Sequence, residues 1–168
     1  MHRGLLISLT LALVAAGSAL AALPRAHVSV RSTSLGPVLV DSRGHTLYAF
    51  DLDKGVKSNC TGVCASEWFP FLTTAKPLTA GGVSAARVGL AKRANGKWQV
   101  MFSGHLLYFF AGDKAAGQVY GASIAHWAAL SKTGAKVRPQ AGGTGTTPAP
   151  APPTTTDPYG YPGGGGGY

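Results

Sequence analysis

Acidic residues are scarce. Only six aspartates and glutamates stand against 15 lysines and arginines in 168 residues, a formal charge of +9. So few carboxylates leave little material for paired-carboxylate catalysis. The chain also lacks a Gly-x-Ser-x-Gly elbow, a phosphate-cradling glycine loop, a His-Glu-x-x-His helix and a Cys-x-x-Cys-His haem attachment. These absences point away from an enzyme, and no cofactor is expected. A hydrolase would need a catalytic constellation that the sequence does not display. No basic run exceeds two residues and none is interleaved with aromatics, which argues against nucleic acid as a partner. The positive balance suits anionic polymers of a cell wall, or it serves only to keep the domain soluble.

The two ends of the chain differ from its middle. Met1-His2-Arg3 is a short basic start, and Gly4 to Leu23 is almost wholly apolar. Small residues at Ala19 and Ala21 suit a signal peptidase, so residues 1–21 read as a signal peptide cleaved before Ala22. An uncleaved anchor is the alternative, since about 20 apolar residues can span a bilayer. No cysteine lies near the cleavage site, so a lipid anchor is not expected. At the other end, residues 139–168 are rich in proline, threonine and glycine, with too few apolar side chains to offset their ordering entropy. They read as a disordered tail, either a spacer, a wall-contacting segment or a tail without a role.

Between them, residues 25–138 contain a repeat. A gapless shift of 60 residues superposes Ala26–Lys54 on Ala86–Lys114 with 11 identities in 29 positions. Among them are Gly44-His45 with Gly104-His105, Leu47-Tyr48 with Leu107-Tyr108, Phe50 with Phe110, and Asp53-Lys54 with Asp113-Lys114. A one-residue slip adds Trp68 and Trp127. Self-similarity at a fixed period means one structural unit used twice, here about residues 26–72 and 86–130.

Each unit reads as a meander of short antiparallel strands. Val88–Lys92 precedes Asn95-Gly96, a strong hairpin signal. Trp98, Val100 and Phe102 alternate with Lys97, Gln99 and Met101, as in a half-buried strand. Ser103-Gly104 turns the chain into His105–Phe110. The first unit follows suit, with Val28 and Val30, a turn at Leu35-Gly36-Pro37, Val38–Val40, a turn at Ser42-Arg43-Gly44, and Thr46–Phe50. The last strand of each is apolar on both faces and should lie centrally. The fold expected is all-β: two tandem antiparallel meanders packed with pseudo-twofold symmetry into one small sandwich- or barrel-like domain.

These residues resemble a known family. Gly44 to Asp53, Ser58 to Ala65 and Trp68-Phe69-Pro70, with Gly96 to Val100, Gly104 to Asp113 and Gly117 to Trp127, are similar to the bacterial secreted repeat of unknown function. Its members are often described as predicted lipoproteins with a Tyr-x-(Phe/Trp/Tyr)-x-x-Asp motif. The resemblance implies an extracytoplasmic domain without an established activity. Many members carry a lipidated N-terminal cysteine, which is missing here. Leu106 stands where the second motif usually has proline.

The residues that stand out are Tyr48, Phe50, Asp53 and Trp68 in the first unit and Tyr108, Phe110, Asp113 and Trp127 in the second. Aromatics at strand spacing in a small domain belong to a core, although an aromatic cleft for a glycan or planar cofactor is the rival. Asp53 and Asp113 fall where a strand ends, where a carboxylate can accept backbone N–H groups and fix a loop. Cation binding is the alternative. Cys60 and Cys64 are the chain's two cysteines, and in an oxidising compartment they should form a disulfide. The competing reading is a copper or zinc site, or a redox pair, using Cys60, Cys64, His45 and His105. The function expected is a secreted or cell-envelope module that binds or scaffolds without catalysis, with no stable transmembrane anchor.

Overall fold

A computed structural model describes residues 25–140 of the chain. The signal peptide expected at 1–21 lies outside them, as does nearly all of the tail expected at 139–168. Among the described residues the chain is predominantly β. It runs through β1 (His27–Thr33), β2 (Gly36–Val40), β3 (Tyr48–Phe50), a one-turn helix α1 (Val63–Glu67), β4 (Trp68–Pro70), β5 (Leu72–Thr73) and β6 (Leu78–Thr79). It continues through β7 (Val88–Lys92), β8 (Trp98–Phe102), β9 (His105–Leu106), β10 (Tyr108–Phe110), β11 (Trp127–Leu130) and β12 (Lys136–Val137).

Local chemistry sets the two hairpins. β1 and β2 pair from Ser29–Val40 to Thr33–Gly36 around Ser34 and Leu35, so the turn falls one residue earlier than Leu35-Gly36-Pro37. Gly36 begins the returning strand at φ +88°, a conformation that glycine adopts without penalty. β7 and β8 pair from Lys92–Trp98 to Val88–Phe102, with Asn95-Gly96 in the connection.

The central sheet has the order β12-β11-β3-β10-β4, and its neighbours run antiparallel. Two smaller sheets, β2-β1-β6 and β5-β8-β7 with β9 on β8, flank it. The sheets do not close into a barrel. The two segments expected as tandem meanders share the central sheet. β3 of the first segment pairs with β11 of the second, and β10 of the second pairs with β4 of the first. One strand pairing, β1 with β6, is parallel.

The motif strands are shorter than expected because each breaks at a leucine. Leu47 N–H donates to Leu39 O, while its own carbonyl accepts from Leu130 N–H. Leu107 N–H donates to Val100 O, and its carbonyl accepts from Phe71 N–H. Each leucine is thus a corner at which the backbone leaves one pairing partner for another. Its side chain is fully buried.

Strand alternation divides the apolar side chains into two cores. Tyr48, Trp68, Tyr108, Phe110 and Trp127 share one cluster with Val38, Val40 and Met101. Leu47, Ala49, Phe71, Leu107, Phe109 and Leu130 share the other with Leu39, Val100 and Phe102. The central strands are therefore covered on both faces, as their apolar pattern requires.

β8 departs from its expected half-buried alternation. Gln99, Val100, Met101 and Phe102 are all buried, whereas Trp98 is 42% exposed. Its side chains enter both cores, Met101 one and Val100 and Phe102 the other. Gln99 is accommodated because its Nε2 donates to Leu107 O at 2.8 Å and its Oε1 accepts from Arg93. A buried amide satisfied at both ends avoids the desolvation penalty of an unpaired one.

The first core closes on Gly121, in the 3-10 turn Tyr120–Ser123. A Cβ at Gly121 would meet Trp68 Cη2 and Tyr48 Cζ at 2.8 Å and Phe110 Cβ at 3.0 Å. Gly121→Ala should therefore destabilise the domain by about 1–3 kcal/mol through overpacking, measured by chemical denaturation. An unchanged midpoint would show that the aromatic cluster yields freely there.

Candidate functional site

The motif residues converge on the middle of the central sheet. Tyr48 and Tyr108 are directly opposed in the antiparallel pairing of β3 and β10. Beside them, Trp68 and Trp127 stack face to face, with centroids 3.6 Å apart and planes 1° from parallel. Phe50 stacks on the outer face of Trp127 at 4.3 Å, and Phe110 lies tilted against Trp68 at 4.5 Å. The four rings form a column in the order Phe50, Trp127, Trp68, Phe110. The tyrosines meet it edge-on, Tyr48 against Trp68 at 5.4 Å and Tyr108 against Trp127 at 5.2 Å. The edge contacts of the tyrosines suit the quadrupoles of these rings.

Register explains the column. β11 sets Trp127 opposite Phe50, and β4 sets Trp68 opposite Phe110. Backbone bonds at the strand ends match in the same way: Asp51 N–H donates to His126 O and Ala111 N–H to Glu67 O, both at 2.8 Å.

The two aspartates are clasps as well as loop anchors. Tyr48 Oη donates to Asp113 Oδ2 at 2.5 Å, and Tyr108 Oη donates to Asp53 Oδ2 at 2.8 Å. Each motif's tyrosine therefore binds the other motif's aspartate. The second carboxylate oxygen fixes the following loop: Asp53 Oδ1 accepts from Asn59 N–H at 2.8 Å, and Asp113 Oδ1 from Tyr120 N–H at 3.0 Å. Sequence reasoning found the loop bonds but missed the crossed phenols. The missed signal was the recurrence of tyrosine five residues before each aspartate, which has meaning only once β3 and β10 are paired.

Burial governs the electrostatics. It raises the Asp113 carboxyl to about 6, against the opposing pull of the Tyr48 hydroxyl, Tyr120 N–H and the charge of His45. Asp53 is shifted upward less far, by the same burial, opposed by Asn59 N–H, the Tyr108 hydroxyl, Arg93 and His105. Burial and the partner carboxylates drive both phenols well above their usual range. Burial and the charge of Lys136 hold His105 below the ordinary histidine value, although Asp51 and Asp53 draw it up. Near neutral pH, neutral phenols thus donate to ionised carboxylates.

The remaining sequence candidates surround this centre. Cys60 and Cys64 form a disulfide with Cα atoms 5.2 Å apart, within the usual span. Ser58 lies between that bridge and the clasp. Its Oγ is 2.8 Å from Tyr108 Oη, and it accepts from Cys60 N–H at 3.2 Å. The competing set Cys60, Cys64, His45 and His105 is not assembled, because the two sulfurs are bonded to each other. His45 instead faces Asp41, at 3.7 Å. Among the described residues no group of three or more metal-ligating side chains gathers. A groove of about 460 Å³ between Ser34-Leu35 and Lys136–Arg138 is lined by none of the motif residues.

The fold and this crossed centre define a small β domain in which the motif is an internal fastening. Compared with known families, residues 29–71 match the model of a secreted repeat of unknown function. No curated protein and no solved structure matches the chain. Among the described residues, no helix is long and apolar enough to cross a membrane.

Tyr48→Phe strands the buried Asp113 carboxylate and should cost about 1–3 kcal/mol. Tyr108→Phe should cost less, because Asp53 is more exposed while each aspartate keeps one backbone N–H, from Asn59 or Tyr120; equal losses would refute the difference between the clasps. With a folded value near 6 against an ordinary 3.8, the native state binds the Asp113 proton more tightly. Its contribution to stability is full below about pH 4 and fades as pH rises through 6, by an amount of order 1–3 kcal/mol. Subtracting the pH profile of Asp113→Asn from that of the parent should isolate this slope between pH 4 and 7. A flat difference would refute it.

Proposed function

We propose that this chain is an extracytoplasmic, non-catalytic module. In this reading two sequence copies, related by a pseudo-twofold axis between Tyr48 and Tyr108, are clasped into one scaffold that presents a basic surface to an anionic polymer of the cell envelope. The family matched at residues 29–71 is one of secreted repeats, which supports the compartment. The paired contacts support the axis: each stacking, edge and Tyr–Asp contact of one motif has its counterpart in the other. The same contacts support a structural role for the motif, because its polar groups are spent on one another.

The observation that carries the anionic partner is the fate of the acids. Arg3 and Asp157 fall outside the described residues and cancel, so those residues carry the whole formal +9. Asp53 and Asp113 are turned inward to tyrosines. Asp41 is buried against the N–H groups of Arg43 and His45. Asp51 is held by Lys136 at 2.7 Å and Arg138 at 2.6 Å. Partial burial opposes the ionisation of Asp51, but these two cations outweigh it and keep its carboxyl below the ordinary range. With four aspartates engaged in this way, the outward charge is overwhelmingly basic. Such a surface draws polyanions in a manner that salt weakens.

The chain should be retained by immobilised anionic wall polymer at low ionic strength and released as salt rises to several hundred millimolar. Retention that is absent, or indifferent to salt, would refute this function.

A further inference from the structure

The basic surface has a centre. Of the three tryptophans, Trp68 and Trp127 are buried in the aromatic column, while Trp98 opens to solvent at the start of β8. Its cross-strand neighbours are Lys92 on β7 and Thr73 on β5. Lys92 Nζ lies 6.0 Å from the centre of the Trp98 ring. On the β5 side, Thr73 Oγ1 accepts from Ala26 N–H, and Arg25 Nε donates to Lys76 O at 2.6 Å. These bonds bring two further exposed cations to that flank. Lys97, next in sequence, alternates to the opposite face of the hairpin with Arg93 and Gln99.

No aspartate or glutamate occurs anywhere between Glu67 and Asp113, so the sheet β5-β8-β7 carries no acid. The sequence showed no run of basic residues interleaved with aromatics. Strand pairing creates the juxtaposition instead, setting residues 92 and 98 side by side across a turn.

Resting on the reading of the domain as a binder of envelope polyanions, we propose that Trp98, with Lys92 beside it and Lys76 and Arg25 on its β5 flank, is the docking surface for a phosphate-bearing glycan. A partly exposed indole at a sheet edge, with Lys92 over its ring, offers an apolar surface for the C–H face of a sugar ring. Ammonium and guanidinium groups around it match phosphates spaced along a chain. The local shape disfavours a lipid surface. Trp98 is more than half covered, and the adjoining turn, Ala94-Asn95-Gly96, has no bulky apolar side chain to insert. Charge complementarity and a lone platform thus fit a substituted sugar-phosphate polymer.

The test uses the full chain and three probes: poly(glycerol phosphate) bearing sugar substituents, the unsubstituted polymer, and phosphatidylglycerol vesicles. Trp98 is the exposed indole, so the glycosylated polymer should shift tryptophan emission to the blue, and Trp98→Phe should abolish that shift. Trp98→Ala should weaken binding of the glycosylated polymer about tenfold and affect the unsubstituted polymer much less. The Lys92→Gln, Lys76→Gln double variant should weaken both polymers and reduce the salt dependence. Lys132→Gln is the control. Its neighbour Thr133 accepts from Arg87 at the opposite end of the β7–β8 hairpin, so binding should be unchanged. Unchanged thermal midpoints keep folding out of the comparison. If the parent binds neither polymer, the function itself fails. If the parent binds but Trp98→Ala and the lysine variant bind equally well, only the site fails. Stronger binding to vesicles than to the glycosylated polymer would overturn the glycan assignment.

Discussion

The architecture depends on one column of four aromatic rings, Phe50, Trp127, Trp68 and Phe110, clasped by two crossed tyrosine–aspartate hydrogen bonds. Neither half of the motif could complete this centre alone. Two edge-on tyrosines and a tryptophan pair with planes 1° from parallel require both segments to be present in register. Aromatic burial supplies the bulk of the free energy in such a centre. The hydrogen bonds supply direction, because a buried carboxylate without its phenol would carry an unpaired charge. The short strands that surround the column are long enough to hold it in register and little more.

Around this shared centre the two halves differ. The first segment carries a disulfide loop whose Ser58 reaches the Tyr108 hydroxyl. The second carries a tighter 3-10 turn whose Gly121 sits against Trp68 and Tyr48. The first clasp, through Asp53, is more exposed and has covalent support nearby. The second, through Asp113, is deeper and relies on packing. Burial accordingly moves Asp113 further from its ordinary carboxylate range than Asp53.

Turning aspartates inward has a consequence for the outside. Carboxylates used as clasps and loop anchors are turned inward, and the more exposed Asp51 offsets part of the charge of Lys136 and Arg138, so the exterior follows the basic excess of the composition. The acid-free stretch between Glu67 and Asp113 concentrates this effect on one sheet. The proposed docking surface and the internal fastening are in this sense two results of the same scarcity of acids.

Much of the local structure was legible in the residues. Asn95-Gly96 marked one hairpin, glycines marked the turns, and the doubly apolar motif strands marked the centre of a sheet, because these signals act over a few neighbouring residues. What the repeat meant was less legible. Identity at a spacing of 60 predicted a unit used twice, but not that β3 would pair with β11 and β10 with β4, each strand choosing a partner from the other segment. The half-buried alternation assigned to β8 failed for a more local reason. Gln99 reads as solvent-facing until the chain turns on either side of β8 and brings Arg93 and Leu107 O to its amide.

The sequence by itself determined the strand-forming segments, the cysteine pair and the excess of positive charge, since these follow from local preference and composition. Only the tertiary structure decided which tyrosine meets which aspartate, which tryptophan is exposed, and which cations gather around it. The physical reason is that strand pairing sets contacts between residues tens of positions apart, and local sequence carries no record of that choice.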